Sequence, residues 1–286
     1  MKRILVCLLI LCLVCSVPLA CCACNRNKGA EIYKPSSFKE SLDLTNYTLV
    51  FEDEFEGELD RTIWGDTRQG YRRDGYWTRD LAFTDGEGHL IIRTEWRDAG
   101  VYNGVECVEG VYSGAVRTSN PQNPGGYRHG YGYYEIRCKL PSTEGIWHAF
   151  WMMCGDVYSE ENGSTDGVEI DVFEYLPARD AVNCALHWDG YDDAHQNAHK
   201  RYEKTHLADG NYHTFGALWD ENGYAFYIDS KKVWFTTGGG ICPLQGYMKI
   251  STEYGEWGDW VGTLDLKDLP VDWVIDYVKI YDKNPA

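Results

Sequence analysis

From residue 47 onward, apolar and polar residues alternate in short bursts separated by turn chemistry. Stretches 47–51, 82–84, 89–94, 111–118, 132–140 and 147–153 follow this period-two pattern. So do 181–188, 213–220, 224–228, 231–237, 247–253 and 273–281. Residues two apart on an extended chain share a face, so each burst predicts a strand with one buried side. Asp85-Gly86-Glu87-Gly88 and the Pro/Asn/Gly run at 121–126 supply turns between them. No long stretch has helical period, and no internal repeat or interior boundary is visible. The pattern predicts an all-β, two-sheet antiparallel β-sandwich over 46–286.

One predicted strand carries unusual chemistry. In Gly167-Val168-Glu169-Ile170-Asp171-Val172-Phe173-Glu174-Tyr175, Glu169 and Asp171 share one face and Ile170 and Val172 the other. Glu174 breaks the alternation and would point into the core on a regular strand. A β-bulge at Val172-Phe173 returns it to the face of the other two acids. Three like charges in a row are costly, and such crowding drives one carboxyl pKa upward. Glycoside hydrolysis needs that arrangement, one ionised carboxylate as nucleophile and one protonated as general acid, about 5 Å apart in a retaining enzyme. The plainer alternative is a solvated edge strand with acids facing water.

The run EIDVFE resembles the Glu-x-Asp-x-x-Glu signature of glycoside hydrolase family 16 in its bulged form, typical of laminarinases, agarases and related endo-glycanases. YTLVFEDEF, YGYYEIRCKLPSTEGIWHAFWMM and VIDYVKIYD resemble further strands of that family, so the likeness covers roughly residues 42–282. It implies a concanavalin-like jelly roll with a concave substrate cleft. It also implies Glu169 as nucleophile, Glu174 as acid/base and Asp171 as the residue that tunes the pair. No catalytic cofactor is implied. A structural calcium is, and it maps onto Glu54, the backbone of Gly88 and Asp276.

Sugar clefts pair aromatic faces with a few polar groups. Trp147, directly before the acidic strand, falls where the family places an aromatic, with core packing as its plainer role. Asn183 and His187 alternate onto one face of the next strand, and His187 is expected near Glu174. Glu253 and Trp257 come where the family returns a strand to the cleft, Trp257 as a sugar platform and Glu253 as a hydroxyl contact or rim charge. Trp77 is a candidate for the distal end. His195 and His199 lack the intervening Glu of a zinc hydrolase, and their segment looks loop-like. No phosphate-cradling loop and no Gly-x-Ser-x-Gly elbow occurs.

Composition narrows the partners. With 27 basic and 44 acidic residues the net charge is −17, which argues against nucleic acid or an anionic membrane and suits a neutral polysaccharide. Residues 1–24 read as an export signal: Lys2-Arg3, an apolar run over 4–17, then small residues. A cysteine after Leu19-Ala20 (Cys21, Cys22 or Cys24) is a candidate for lipidation, and lipid-anchored and freely secreted forms both stay open. Residues 25–45 read as a linker. Cys107, Cys138, Cys154, Cys184 and Cys242 follow it, an odd and scattered set best read as buried thiols.

The expectation is therefore a monomeric, extracellular or cell-surface, retaining endo-glycosidase. Its first substrate is a β-1,3- or mixed-linked glucan. A β-galactan or host glycan is the alternative, because the loops over 70–77 and 188–204 depart from a standard laminarinase. A lectin-like module on the same sandwich is the alternative of a different class. It would need no acid/base pair, and both glutamates are present. Transfer to a sugar acceptor in place of water stays open.

Overall fold

A computed structural model describes residues 29–38, 40–119, 125–255 and 261–285. Two large sheets face each other. One has eight strands in the spatial order Glu31–Ile32, Gln196–Glu203, Ala181–Trp188, Gly167–Leu176, Ile146–Gly155, Gly246–Tyr254, Ala115–Arg117 and Gly65–Asp66. The other has eleven, centred on Gly132–Lys139 and Val271–Lys283. Nearly all pairings are antiparallel; the exceptions are Glu31–Ile32 on Gln196–Glu203 and Gly75–Trp77 on Gly110–Ser113.

The core lies where the inner faces meet. Val168, Ile170, Val172, Phe173 and Tyr175 of the acidic strand are all buried there. The Phe173 ring stacks on Phe215 of the opposite sheet, with centroids 4.1 Å apart. Pairing slips at the predicted place. Phe150 faces Phe173 and Trp151 faces Asp171 on one side, while Asp171 faces Ala185 and Glu174 faces Asn183 on the other. Val172 and Phe173 thus take two consecutive core positions, and Glu174 comes out on the face of Glu169 and Asp171.

The stretch 111–118 is not one strand. Gly110–Ser113 belongs to the eleven-stranded sheet and Ala115–Arg117 to the other, with Gly114 at the corner. A Cβ on Gly114 would lie 2.1 Å from the Leu81 carbonyl oxygen, so only glycine lets the chain cross there. A loop was expected near His195 and His199, yet Gln196–Glu203 is a strand. It lies near the sheet edge with exposed or half-buried side chains except Tyr202, which removes the buried face that alternation detects.

The linker expectation for 25–45 is corrected over its described part. Glu31 and Ile32 pair with Tyr202 and Glu203, and Tyr33 is buried against Phe38 and Tyr202. The Leu42 amide donates to the Ser230 carbonyl, and that of Lys232 to the Glu40 carbonyl. This segment is part of the sandwich because its few aromatics cover the edge. The export segment and its cysteines lie outside the described residues. Cys107, Cys138, Cys154, Cys184 and Cys242 are all buried and unpaired.

The positions mapped for calcium do not fit it. Lys279 Nζ sits 3.0 Å from Glu54 Oε1, and Arg137 bonds the Asp276 carboxylate. Gly88 does lie against the Glu54 carbonyl. A calcium cage requires six to eight oxygens, and here both carboxylates are already neutralised by cations.

Truncating Phe173→Ala is expected to cost about 3–5 kcal/mol, since a buried aromatic and its stacked partner are lost together. Denaturant midpoints would read this. Treatment with EDTA, followed by calcium, is expected to leave the thermal midpoint unchanged.

Candidate active site

Register fixes which side chains meet on the cleft face of the eight-stranded sheet. His187, Glu169, Met153 and Tyr247 form one row across four strands. Ala185, Asp171, Trp151 and Lys249 form the next; Asn183, Glu174, Ala149 and Ser251 form the third. A cleft of about 670 Å³ opens over these rows, lined by Glu169, Asp171, Glu174, His187, Trp147 and Trp151 among others. Of the residues proposed from sequence, the three acids, Trp147, His187, Glu253 and Trp77 line this cleft. Asn183 reaches it through its amide, which donates to Glu174 Oε2 at 2.8 Å. Trp257 lies outside the described residues.

Burial and then the neighbouring Asp171 push both glutamates up, Glu174 to about 8 and Glu169 to about 7. Opposing this, the Asn183 amide favours ionised Glu174, while His187 and a hydrogen bond from the Tyr191 phenol favour ionised Glu169. The two carboxyls therefore have different supports, as a nucleophile and an acid require.

His187 lies 3.3 Å from Asp171 through Nε2 and 2.9 Å from His195 Nε2 through Nδ1. Burial works against its charge, but the hydrogen bond and charge of Asp171 outweigh this and raise it to about 9. Protonated, it donates from both nitrogens, which requires a neutral acceptor at His195. Burial, with His187 beside it, lowers His195 accordingly. Donor atoms of Glu169, Asp171 and His187 lie within 4.8 Å of one another. Of the three, Asp171 and His187 are in direct contact, while Glu169 takes its hydrogen bond from Tyr191.

The tryptophans are held by their edges. Trp77 Nε1 donates to the Thr252 carbonyl at 2.8 Å and Trp151 Nε1 to Ser251 Oγ at 3.0 Å. Their rings belong to one cluster with Ala115, Ala149 and Met153. Trp147 packs beside Leu176, Ala181 and Val261, with the Arg73 guanidinium 5.0 Å over its ring. Glu253 is no rim charge. It is 5% exposed and accepts from Arg72 Nη2 at 2.8 Å and from Arg73, so it ties the 70–73 segment to the cleft wall.

Tyr191, Lys249, Arg68, Arg72 and Arg73 also line the cleft and carry no role in the sequence reading, and His195, set aside there as a zinc ligand, lines it too. Lys249 had a signal, since it alternates with Tyr247, Ser251 and Glu253 on one strand face. Tyr191 had none. It reaches Glu169 only because Asp189 and Gly190 adopt positive φ (59° and 75°) and fold the loop back.

An acid row on the cleft face of a β-sandwich, with aromatic walls and both glutamates pushed upward, has the parts that glycoside hydrolysis requires. The chain belongs to the family described as Glycosyl hydrolases family 16, whose profile matches residues 84–240. It is 24% identical over 277 residues to glucan endo-1,3-beta-glucosidase A1 of Niallia circulans, covering 84% of this chain and 39% of that protein. It is also 24% identical over 271 residues to keratan-sulfate endo-1,4-beta-galactosidase of Sphingobacterium multivorum, covering 90% of this chain and 61% of that one. The chain thus spans less than two thirds of either relative. A family 16 endo-glucanase from Bacteroides ovatus, solved in complex with G4G3G-2F-DNP, superposes with a TM-score of 0.62 at 25% identity, over 80% of this chain and 99% of that one.

Removing the amide in Asn183→Ala should raise the Glu174 pKa further, and Tyr191→Phe should raise that of Glu169, each by roughly half to one unit. Carbon-13 titration of the glutamate carboxyls would follow both. A downward move in either variant would contradict the hydrogen-bond assignments.

Proposed function

We propose that the protein is a retaining endo-acting β-glycosidase. The observation that carries this is the bulge at Val172-Phe173, which sets Glu174 in the same cleft as Glu169 with Asp171 between them. Glu169 attacks the anomeric carbon and forms a glycosyl-enzyme. Glu174 first protonates the departing oxygen and then, as a carboxylate, takes the proton of the attacking water. Asp171, paired with His187, stands between them and favours a single shared proton.

A β-1,3- or mixed-linked glucan is the first substrate proposed, supported by the endo-1,3-glucosidase and endo-glucanase relatives. An endo-β-galactosidase acting on a galactan or host glycan is the second. The cations along one wall of the cleft favour it, as does the 90% share of this chain covered by the match to the keratan-sulfate enzyme. Export and a place outside the cytoplasm, lipid-anchored or free, belong to the same proposal. Their support is the charged start and apolar run of residues 2–17. So does a monomeric state, for which the completeness of the cleft within one chain speaks.

Turnover needs Glu169 ionised and Glu174 protonated. Activity should rise as pH passes the Glu169 value near 7 and fall as it passes the Glu174 value near 8, giving a narrow bell. Glu169→Gln should abolish hydrolysis while glycan binding persists. Glu174→Ala should slow natural glycans by about 10²- to 10⁴-fold, yet spare aryl glycosides whose leaving groups need no proton. Equal loss on both substrate types would remove the acid/base role. Product sizing on β-glucans and galactans reads linkage and endo action together.

A further inference from the structure

Lys249 is a cation without a counterion in a place where one is costly. It stands in the Asp171–Trp151 row, two strands from the acidic strand and so about 10 Å along the cleft from it. Its Nζ lies 3.3 Å from the centroid of the Trp151 ring and 5.6 Å from that of Trp77. Among the described residues no carboxylate pairs with it and no acceptor bonds it, although it lines the cleft with Glu169 and Glu253. Glu253 is committed to Arg72 and Arg73, and Glu169 to Tyr191. Burial, with Arg72 and Arg117 nearby, pulls Lys249 down to about 7 against the attraction of Glu169 and Glu253, and its direct contact is with the face of the Trp151 ring.

Farther along the same wall Arg68 is exposed and lines the cleft, with Tyr71 beside it 65% exposed. Four cations, Arg68, Arg72, Arg73 and Lys249, therefore gather on one wall in a chain whose net charge is −17. A neutral sugar would gain little from displacing the water that solvates an ammonium. An anionic group would supply the missing counter-charge and a charge-assisted hydrogen bond.

We propose that the cleft has a subsite for an anionic substituent, a sulfate ester or a carboxylate, carried by a sugar bound beside the Trp77–Trp151 wall, with Lys249 as its direct partner and Arg68 as an outer one. This rests on the glycosidase reading for the direction of the chain through the cleft. It concerns a decoration on the sugar, not the bond that is cut.

Binding to the Glu169→Gln protein separates the two ideas, because it reads affinity without turnover. The probes are a sulfated galactan, the same polymer after solvolytic desulfation, and a glucuronate-bearing glycan, measured by affinity electrophoresis. The sulfated or the uronate polymer should bind at least tenfold more tightly than the desulfated one, and which of the two does so identifies the anion. The preference should fall to within about twofold when Lys249→Met is added, shrink in Arg68→Ala, and weaken as sodium chloride is raised. Equal binding of charged and uncharged polymers, or a preference that survives Lys249→Met, overturns the subsite. Hydrolysis of neutral polymers by the unaltered protein tests the glycosidase reading separately. Its failure leaves the binding comparison intact, and its success does not rescue the subsite.

Discussion

The active face depends on how one strand satisfies its two sides at once. Val172 and Phe173 are both apolar, consecutive and buried, so the strand gives up one step of its ladder to place both inside. The core thereby decides where Glu174 points. A strand that kept its regular pairing would bury a carboxylate behind the sheet, at a desolvation cost of several kcal/mol, and leave the cleft with one glutamate. Packing of Phe173 on Phe215 and the position of Glu174 are the same structural fact seen from opposite faces.

Electrostatics are layered around that strand. Asp171 raises both glutamates, and His187 compensates by offering it a proton-bearing partner, while His195 keeps His187 oriented by accepting its second hydrogen. Each glutamate then has its own donor, Asn183 for Glu174 and Tyr191 for Glu169. The outer wall is built differently. Glu253, deep in the sheet, holds the half-buried Arg72 and Arg73 from a segment some 180 positions earlier, so these ion pairs shape the far end of the cleft.

What could be read from sequence follows from how local each feature is. The acid row was legible because period two and its one break lie within nine residues. The candidate pairing of Asn183 and His187 with that row followed from alternation on the next strand. Gln196–Glu203 escaped because a strand near a sheet edge has little apolar face to show. Glu253 was misjudged because the arginines that bury it are remote in sequence, and Tyr191 because a loop's return path leaves no periodic trace. The segment over 29–45 looked like a linker because its anchoring is done by Tyr33 and Phe38, two rings in an otherwise polar run.

The short pairing of Glu31 and Ile32 settles where the upstream chain joins the body. Those residues form the outermost strand of the cleft sheet, three places from Gly167–Leu176, or about 14 Å from it. The chain thus enters the described body on the flank next to Gln196–Glu203, and the cation-rich wall beyond Gly246–Tyr254 lies at the opposite side of the cleft sheet.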